Sequence, residues 1–255
     1  MHSPAPLPTP LAEAFASPVI KRRYVRQLFS TIAARYDLIT RLLSFGLDQR
    51  WKRKLVAAAR IHATTRVLDL ACGTGDLALL ALARGGRVTG LDLAAPMIAL
   101  ARKKPGGSAV RWLVGDMGML PFATGSVDVV TTGYGLRNVP DLQDALLEIH
   151  RVLIATGVVC SLDFNRPESR LVRSVYLGYL TMVGSALGWI LHGDPNTYRY
   201  IAASLRRYPG AAGVATLMRG AGFSEVRVVP LLGGLMTLHV GSKGVVPGRP
   251  EHFIQ

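Results

Sequence analysis

The chain predicts an α/β fold in which a doubly wound, mostly parallel sheet ends in an antiparallel hairpin. Three observations predict it. Short apolar runs alternate with amphipathic stretches from about residue 66 to residue 164, the βαβ rhythm of a parallel sheet with helices on both faces. Val67-Leu68-Asp69-Leu70 runs straight into Ala71-Cys72-Gly73-Thr74-Gly75-Asp76, a buried strand entering a glycine loop that opens a helix. Near the end, Gly222-Phe223 to Val229 and Gly234 to Val240 are joined by a link as short as Pro230-Leu231-Leu232-Gly233, which permits only antiparallel pairing.

Taken in order, residues 1–18 hold five of the fifteen prolines and almost no charge. They read as a disordered leader, since a signal peptide needs a basic start and an apolar run. Residues 19–60 form a helical cover, with amphipathic helices from Val25 to Leu43 and from Gln49 to Arg60, the first stopped at Gly46. Residues 61–165 are the ligand-binding core. After the loop it holds a helix from Asp76 to about Arg84, a strand Arg87 to Asp92, and a helix opening near Pro96, a residue favoured in a first turn. Then come strands at 110–115 and 126–132, a helix from Asp141 to Leu153, and a strand from Gly157 to Phe164. Ala94 stands where a capping side chain would support the Pro96 helix, at a cost of about 1 kcal/mol. Residues 166–209 read as an apolar and basic lid, 210–243 as a last helix with the hairpin, and 244–255 as a tail.

At 255 residues and 49% apolar composition, the chain suffices for one such sheet with an elaboration. The two cysteines, Cys72 and Cys160, are read as reduced thiols of a cytoplasmic protein. The net charge of +14 is unevenly spread. Residues 61–165 carry nine basic and nine acidic side chains, residues 21–60 eleven and two, and residues 166–207 six and two. The excess therefore flanks a neutral core. Basic helices beside apolar ones suit an anionic membrane surface, at about 1 kcal/mol per well-placed cation. RNA would be attracted by the same charge, so charge alone leaves that open.

Two cofactor classes fit the loop. Gly73-x-Gly75-x-x-Ala78 satisfies the loose dinucleotide pattern, and Asp92 follows at the next strand end. Asp69 and Asp76, however, flank the loop with negative charge that a pyrophosphate would meet unfavourably. A ligand with a sulfonium and an ammonium is suited by it, and S-adenosylmethionine is that ligand. Asp92 can then accept from both ribose hydroxyls, and Asp116 from the adenine amine, with Met97 and Met117 on the ring. With the terminal hairpin, these acids point to the class I S-adenosylmethionine-dependent methyltransferase fold, a Rossmann-like seven-stranded sheet with helical lid elements. No His, Cys, Asp or Glu cluster has metal-ligand spacing, so no metal is expected.

From residue 24 to residue 243 the chain resembles the ubiquinone and menaquinone biosynthesis C-methyltransferases. The resemblance rests on Phe29 to Asp37, on Ser44-Phe45-Gly46 with Trp51-Lys52, on the Asp69–Asp76 loop, and above all on Gly133-Tyr134-Gly135-Leu136-Arg137-Asn138-Val139. Tyr198-Arg199-Tyr200-Ile201 and Ala221-Gly222-Phe223 complete it. Gly133-Tyr134 and Leu162-Asp163-Phe164-Asn165-Arg166-Pro167 look closer to the naphthoquinone-methylating members. The resemblance implies transfer of a methyl group to a ring carbon of a polyprenylated quinol. It implies Arg137 and Asn138 as catalytic residues. As cofactor-binding residues it implies Tyr36, Asp69, Ala71, Gly73, Thr74, Gly75, Asp92, Leu93, Met97, Asp116, Met117 and Gly133.

Leu171 to Leu191 is marginal as a transmembrane helix, and a lid lining an apolar pocket for an isoprenoid tail accounts for it better. Arg166, Arg170 and Arg199 would then sit at lipid headgroups, peripherally on the inner face of the membrane. His192 reads as a helix-end cap rather than a base. Another lipophilic phenol as substrate stays open, and so does a nucleic-acid methyltransferase, although no Asn/Asp-Pro-Pro-aromatic element for base amines occurs. No nucleic-acid partner is expected, and a homodimer is allowed.

Overall fold

A computed structural model describes residues 10–244. Its one sheet has seven strands: β1 (Arg66–Leu70), β2 (Arg87–Asp92), β3 (Arg111–Val114), β4 (Val127–Gly133), β5 (Leu153–Phe164), β6 (Glu225–Leu231) and β7 (Met236–Ser242). They lie in the order β3-β2-β1-β4-β5-β7-β6. The first five are parallel, and β7 runs antiparallel to both β5 and β6. The order reverses between β1 and β4, which opens a crevice at the carboxyl ends of these strands.

Alternate residues of the strands feed two cores. On one face Val67, Val129 and Val240 pack against Leu55 of α3 (Asp48–Ala58), Ala78 of α4 (Asp76–Leu82) and Ile98 of α5 (Ala95–Lys103). On the other, Leu68, Val130 and Val159 pack against Ile149 of α6 (Leu142–Val152) and Met218 of α9 (Gly210–Gly220). A third cluster joins α1 (Pro18–Ile32) to the start of α5 and to Tyr198 and Tyr200 of α8 (Asn196–Arg207). α2 (Tyr36–Leu43) and the 23-residue α7 (Arg170–His192) complete the cover.

Several boundaries differ from the sequence reading. The single helix expected from Val25 to Leu43 begins at Pro18, because Ser17 caps it by accepting from the Ile20 amide at 3.2 Å. It breaks at a 3-10 turn over Ala33–Arg35, after which α2 starts with Tyr36. Residues 10–17 depart from the expected disorder. They form turns, bury Ala14 completely, and stack Phe15 on Tyr200 at 5.7 Å. The rest of the expected leader, residues 1–9, and the tail beyond Gly244 lie outside the described residues.

The strand expected from Gly157 starts earlier: β5 begins at Leu153, paired with Val127, with a register shift between Val127 and Val129. β6 continues through Pro230, tolerated there because β6 is an edge strand. α5 lacks a side-chain cap at Ala94, and Asp92 Oδ1 accepts the Ala94 amide at 2.8 Å, one of the N–H groups that the helix start leaves without an intrahelical partner. α6 is capped by Asp141 as its sequence suggests.

Candidate active site

The glycine loop owes its shape to positive backbone angles. Gly75, at φ +87°, is the N-cap of α4, and a Cβ there would lie 2.5 Å from Trp112 Cη2. Ala71 adopts φ +47° without being glycine, a strain that persists where surrounding structure over-determines it. Three of the loop amides are bonded within the fold, Cys72 to the Leu91 carbonyl at 3.1 Å, Gly73 to Asp92 Oδ2 at 2.7 Å and Gly75 to the Cys72 carbonyl at 2.8 Å.

Three carboxylates stand at or just beyond three adjacent strand ends. Asp69 is completely buried. Its Oδ1 accepts from Thr131 Oγ1 at 2.8 Å, while its Oδ2 has no partner. Desolvation pushes its carboxyl up to about 7. Asp92 accepts from the Gly73 amide at 2.7 Å and the Ala94 amide at 2.8 Å, one bond per oxygen, and burial raises it as well. Each oxygen keeps a lone pair for a ribose hydroxyl. Asp116 accepts from the Gly118 amide at 2.9 Å, and its Oδ2 meets Arg22 Nε of α1 at 2.5 Å in an ionic contact not aligned as a hydrogen bond.

A narrow cavity of about 70 Å³ runs past this row. Ala71, Gly73, Asp92, Leu93, Asp116, Met117 and Gly133 line it, roofed by Arg22 and Phe29 of α1 and by Tyr36. A smaller pocket of about 20 Å³ holds Asp69 and Thr74 beside Lys52 and Asp76. Met97 departs from its expected role: it is buried in the α1–α5 cluster and lines neither space. Gly75 shapes the loop without lining a cavity.

Asp76 is the larger surprise. Its Oδ2 receives Lys52 at 2.8 Å and Gln49 at 2.7 Å, and its Oδ1 receives Lys104 at 2.7 Å. Burial works against its ionisation, yet the two ammonium groups hold it well below the usual carboxylate range. Its charge is thus spent on tying α3 and α5 to the loop. Of the two acids that flank the loop, Asp69 is the one that leaves a carboxylate oxygen without a partner among the described residues, free for a cationic ligand. That orphan and the two-oxygen cradle of Asp92 together fit S-adenosylmethionine, and a phosphate would meet the Asp69 carboxylate.

Against this cleft lies an apolar cavity of about 600 Å³, bounded by α1, α2, α7, α8 and the hairpin turn. Phe29, Tyr36 and Tyr134 form the wall common to both spaces. Arg137 is the one charged residue lining the large cavity among the described residues. Asp163 grips it twice, from Nε at 3.0 Å and from its backbone amide at 3.2 Å, and Ser204 Oγ accepts from Nη1 at 3.1 Å. Burial raises the Asp163 carboxyl, opposed by the guanidinium charge. Asn138 accepts from Arg137 Nη1 at 3.3 Å and donates to the Tyr134 carbonyl at 2.7 Å.

His192 ends α7, the position expected of a cap, while its Nε2 pairs with the Tyr198 hydroxyl at 2.9 Å and it lines neither cavity. Lys52 and Arg22 complete the site without having been assigned roles from sequence. Lys52 adjoins Trp51 in a quoted motif, whereas nothing local marks Arg22. Among the described residues no three His, Cys, Asp or Glu side chains gather as metal ligands.

Known proteins resemble this chain closely. A model of the ubiE/COQ5 methyltransferase family matches residues 18–243. A demethylmenaquinone methyltransferase of Thermus thermophilus is 43% identical over 85% of this chain and 100% of its own length. The ubiquinone/menaquinone biosynthesis C-methyltransferase UbiE of Rubrivivax gelatinosus is 39% identical over 92% and 95%. A 2-phytyl-1,4-naphtoquinone methyltransferase of Thermosynechococcus vestitus is 38% identical over 86% and 99%. Among solved structures, a S-adenosylmethionine-dependent methyltransferase of Thermotoga maritima aligns with a TM-score of 0.62 at 20% identity, covering 86% of this chain and 99% of its own, a likeness of fold.

Proposed function

The chain belongs to the ubiE/COQ5 methyltransferase family, and from that premise we propose that it uses S-adenosylmethionine to methylate a ring carbon of a polyprenylated quinol, in menaquinone or ubiquinone biosynthesis. Relatives acting on naphthoquinones and relatives named for both pathways lie within a few per cent identity of each other. The Gly133-Tyr134 motif favours the naphthoquinol. The observation that carries the reading is the shared wall: an apolar cavity sized for a ring and the start of an isoprenoid tail abuts the carboxylate cleft across three aromatic rings.

When bound, S-adenosylmethionine supplies a methyl group on a sulfonium, an electrophile for a carbon approaching in line. The protein's part is to align the two within about 3 to 3.5 Å and to favour the anionic ring. A phenol with pKa near 10 is a poor carbon nucleophile until its proton leaves. Arg137 puts permanent positive charge where the ring oxygen would lie, and Asp163 and Ser204 hold its fork in one orientation. Asn138 ties that fork to the Tyr134 carbonyl. Asp69, Asp92 and Asp116 would hold the ammonium, ribose and adenine ends, with Tyr36 between donor and acceptor.

The surface around the cavity mouth supports a peripheral position on an anionic, cytoplasmic membrane face. Phe45, Leu171 and Val175 both line the cavity and are exposed, and Met182, Trp189 and Ile190 extend the apolar surface along α7. α7 is the one described helix long and apolar enough to cross a bilayer, with a mean hydropathy of 1.4. Its Leu180, Gly184 and Gly188 are buried, however, and a Cβ at Gly184 would come within 2.9 Å of the Tyr198 carbonyl. A helix so committed to α8 suits lying on lipid rather than crossing it.

Tritium transfer from labelled cofactor should reach demethylmenaquinol and not RNA. Replacing Arg137 with Gln should lower turnover about a hundredfold while adenosylhomocysteine affinity stays within about twofold; parallel losses would remove its catalytic role. Flotation with anionic liposomes should weaken as salt rises.

A further inference from the structure

Tyr134 holds a polar group that the mechanism above leaves unused. It follows β4 with φ +61°, a left-handed conformation uncommon outside glycine. Its backbone is clamped at both ends: the amide donates to the Leu162 carbonyl at 2.7 Å, and the carbonyl accepts from Asn138 Nδ2. Strain over-determined in this way clusters at functional sites. The ring packs on Phe164 with centroids 5.6 Å apart, and Lys52 Nζ lies 6.0 Å from the ring centre.

Tyr134 borders the apolar cavity, the cofactor cleft and the small pocket at Asp69. Its hydroxyl is shielded from water and has no hydrogen-bond partner among the described residues. Charged groups about the ring are already engaged, Lys52 with Asp48 and Asp76, and Asp163 with Arg137. Burial holds the phenol well above its ordinary pKa, so it remains a donor at any working pH. A buried O–H without an acceptor is unfavourable and calls for a partner that the ligand-free protein does not contain. Tyr200 has a second unpartnered hydroxyl on the large cavity, but it stacks on Phe15 and borders no part of the cofactor cleft.

We propose that Tyr134 donates its hydroxyl hydrogen bond to an oxygen of the acceptor ring, fixing the ring against the methyl donor and stabilising the phenolate as it forms. The proposal rests on the quinol reading above. It distinguishes Tyr134 from the aromatic wall in general, since Phe29 and Tyr36 act there as surfaces.

The test is Tyr134→Phe, which removes one oxygen. kcat/KM for demethylmenaquinol should fall about tenfold to a hundredfold, with adenosylhomocysteine affinity within about twofold. The ligand-free variant should melt at the wild-type temperature or above it, because an unpaired buried hydroxyl has gone. Tyr200→Phe should lose less than about threefold. Wild-type turnover in Tyr134→Phe would overturn the proposal. A melting temperature lowered by several degrees would do so too, revealing a bond within the protein. So would a loss carried by Tyr200→Phe instead. A wild-type enzyme that neither binds nor methylates the quinol would remove the substrate reading and this proposal together, an outcome distinct from failure of the variant alone.

Discussion

Asp69 is more valuable to the ligand than to the fold. Its carboxyl titrates near 7 in the ligand-free protein, against about 3.9 in an unfolded chain. Between those values the native state binds the extra proton, so stability falls as pH rises from about 4 to about 7 and then levels. Asp69→Asn should remove that slope, so thermal melts of the two proteins should diverge from pH 5 to pH 8, with the variant the more stable at pH 8. Adenosylhomocysteine affinity of the wild type should rise through the same window as the carboxylate forms. The variant should bind more than about tenfold more weakly at pH 8. A variant that matched wild-type affinity there would show that Asp69 meets no ligand cation. The three strand-end acids were legible in sequence because strand ends and loop chemistry are local. The neutralisation of Asp76 was not, because Lys52 and Lys104 come from segments on either side of it that meet only in the fold.

At the scale of elements, the loop and α4 depend on a glycine that cannot be exchanged. Gly75 combines a left-handed angle with a Trp112 ring where a Cβ would go. Gly75→Ala should destabilise the protein by about 2 kcal/mol or more, measured by urea unfolding, because αL strain and overpacking act together. Pairing it with Trp112→Leu should recover only the packing share. Full recovery would mean that the angle is unstrained. The glycine motif announced a turn, yet Trp112 lies on β3, and no spacing rule joins it to Gly75. The break between α1 and α2 was hidden likewise, since Ala33-Ala34-Arg35 carries no helix-breaking residue. That break starts a new helix at Tyr36, whose ring lies 3.5 Å from where a Gly73 Cβ would stand.

Over the whole molecule, the cover closes the site it serves. α1 roofs the cofactor cleft and lines the apolar cavity; it is pinned at Lys21 against the Val139 carbonyl and at Arg22 against Asp116, and the turns before it pack Phe15 against Tyr200 and Arg207. A nucleoside must pass this roof to enter the cleft of about 70 Å³. Arg22→Ala should therefore speed adenosylhomocysteine association severalfold, read by stopped-flow fluorescence of the tryptophans. An unchanged rate would show that the Arg22 contact does not gate entry. The amides of α1 should exchange more slowly with solvent once ligand is bound.

The sheet, the glycine loop and the row of acids are all legible in the amino-acid sequence. Each rests on residues a few positions apart, where periodicity and turn chemistry act directly. It also marked α7 and the basic flanks as unusual, since composition needs no coordinates. That Asp76 is spent on lysines, that Met97 is core, that Asp163 holds Arg137, and that one aromatic wall divides the carboxylate cleft from the apolar cavity is set by the folded chain. Those facts are contacts between segments tens of residues apart, and such contacts exist only once the sheet and its cover have closed around them.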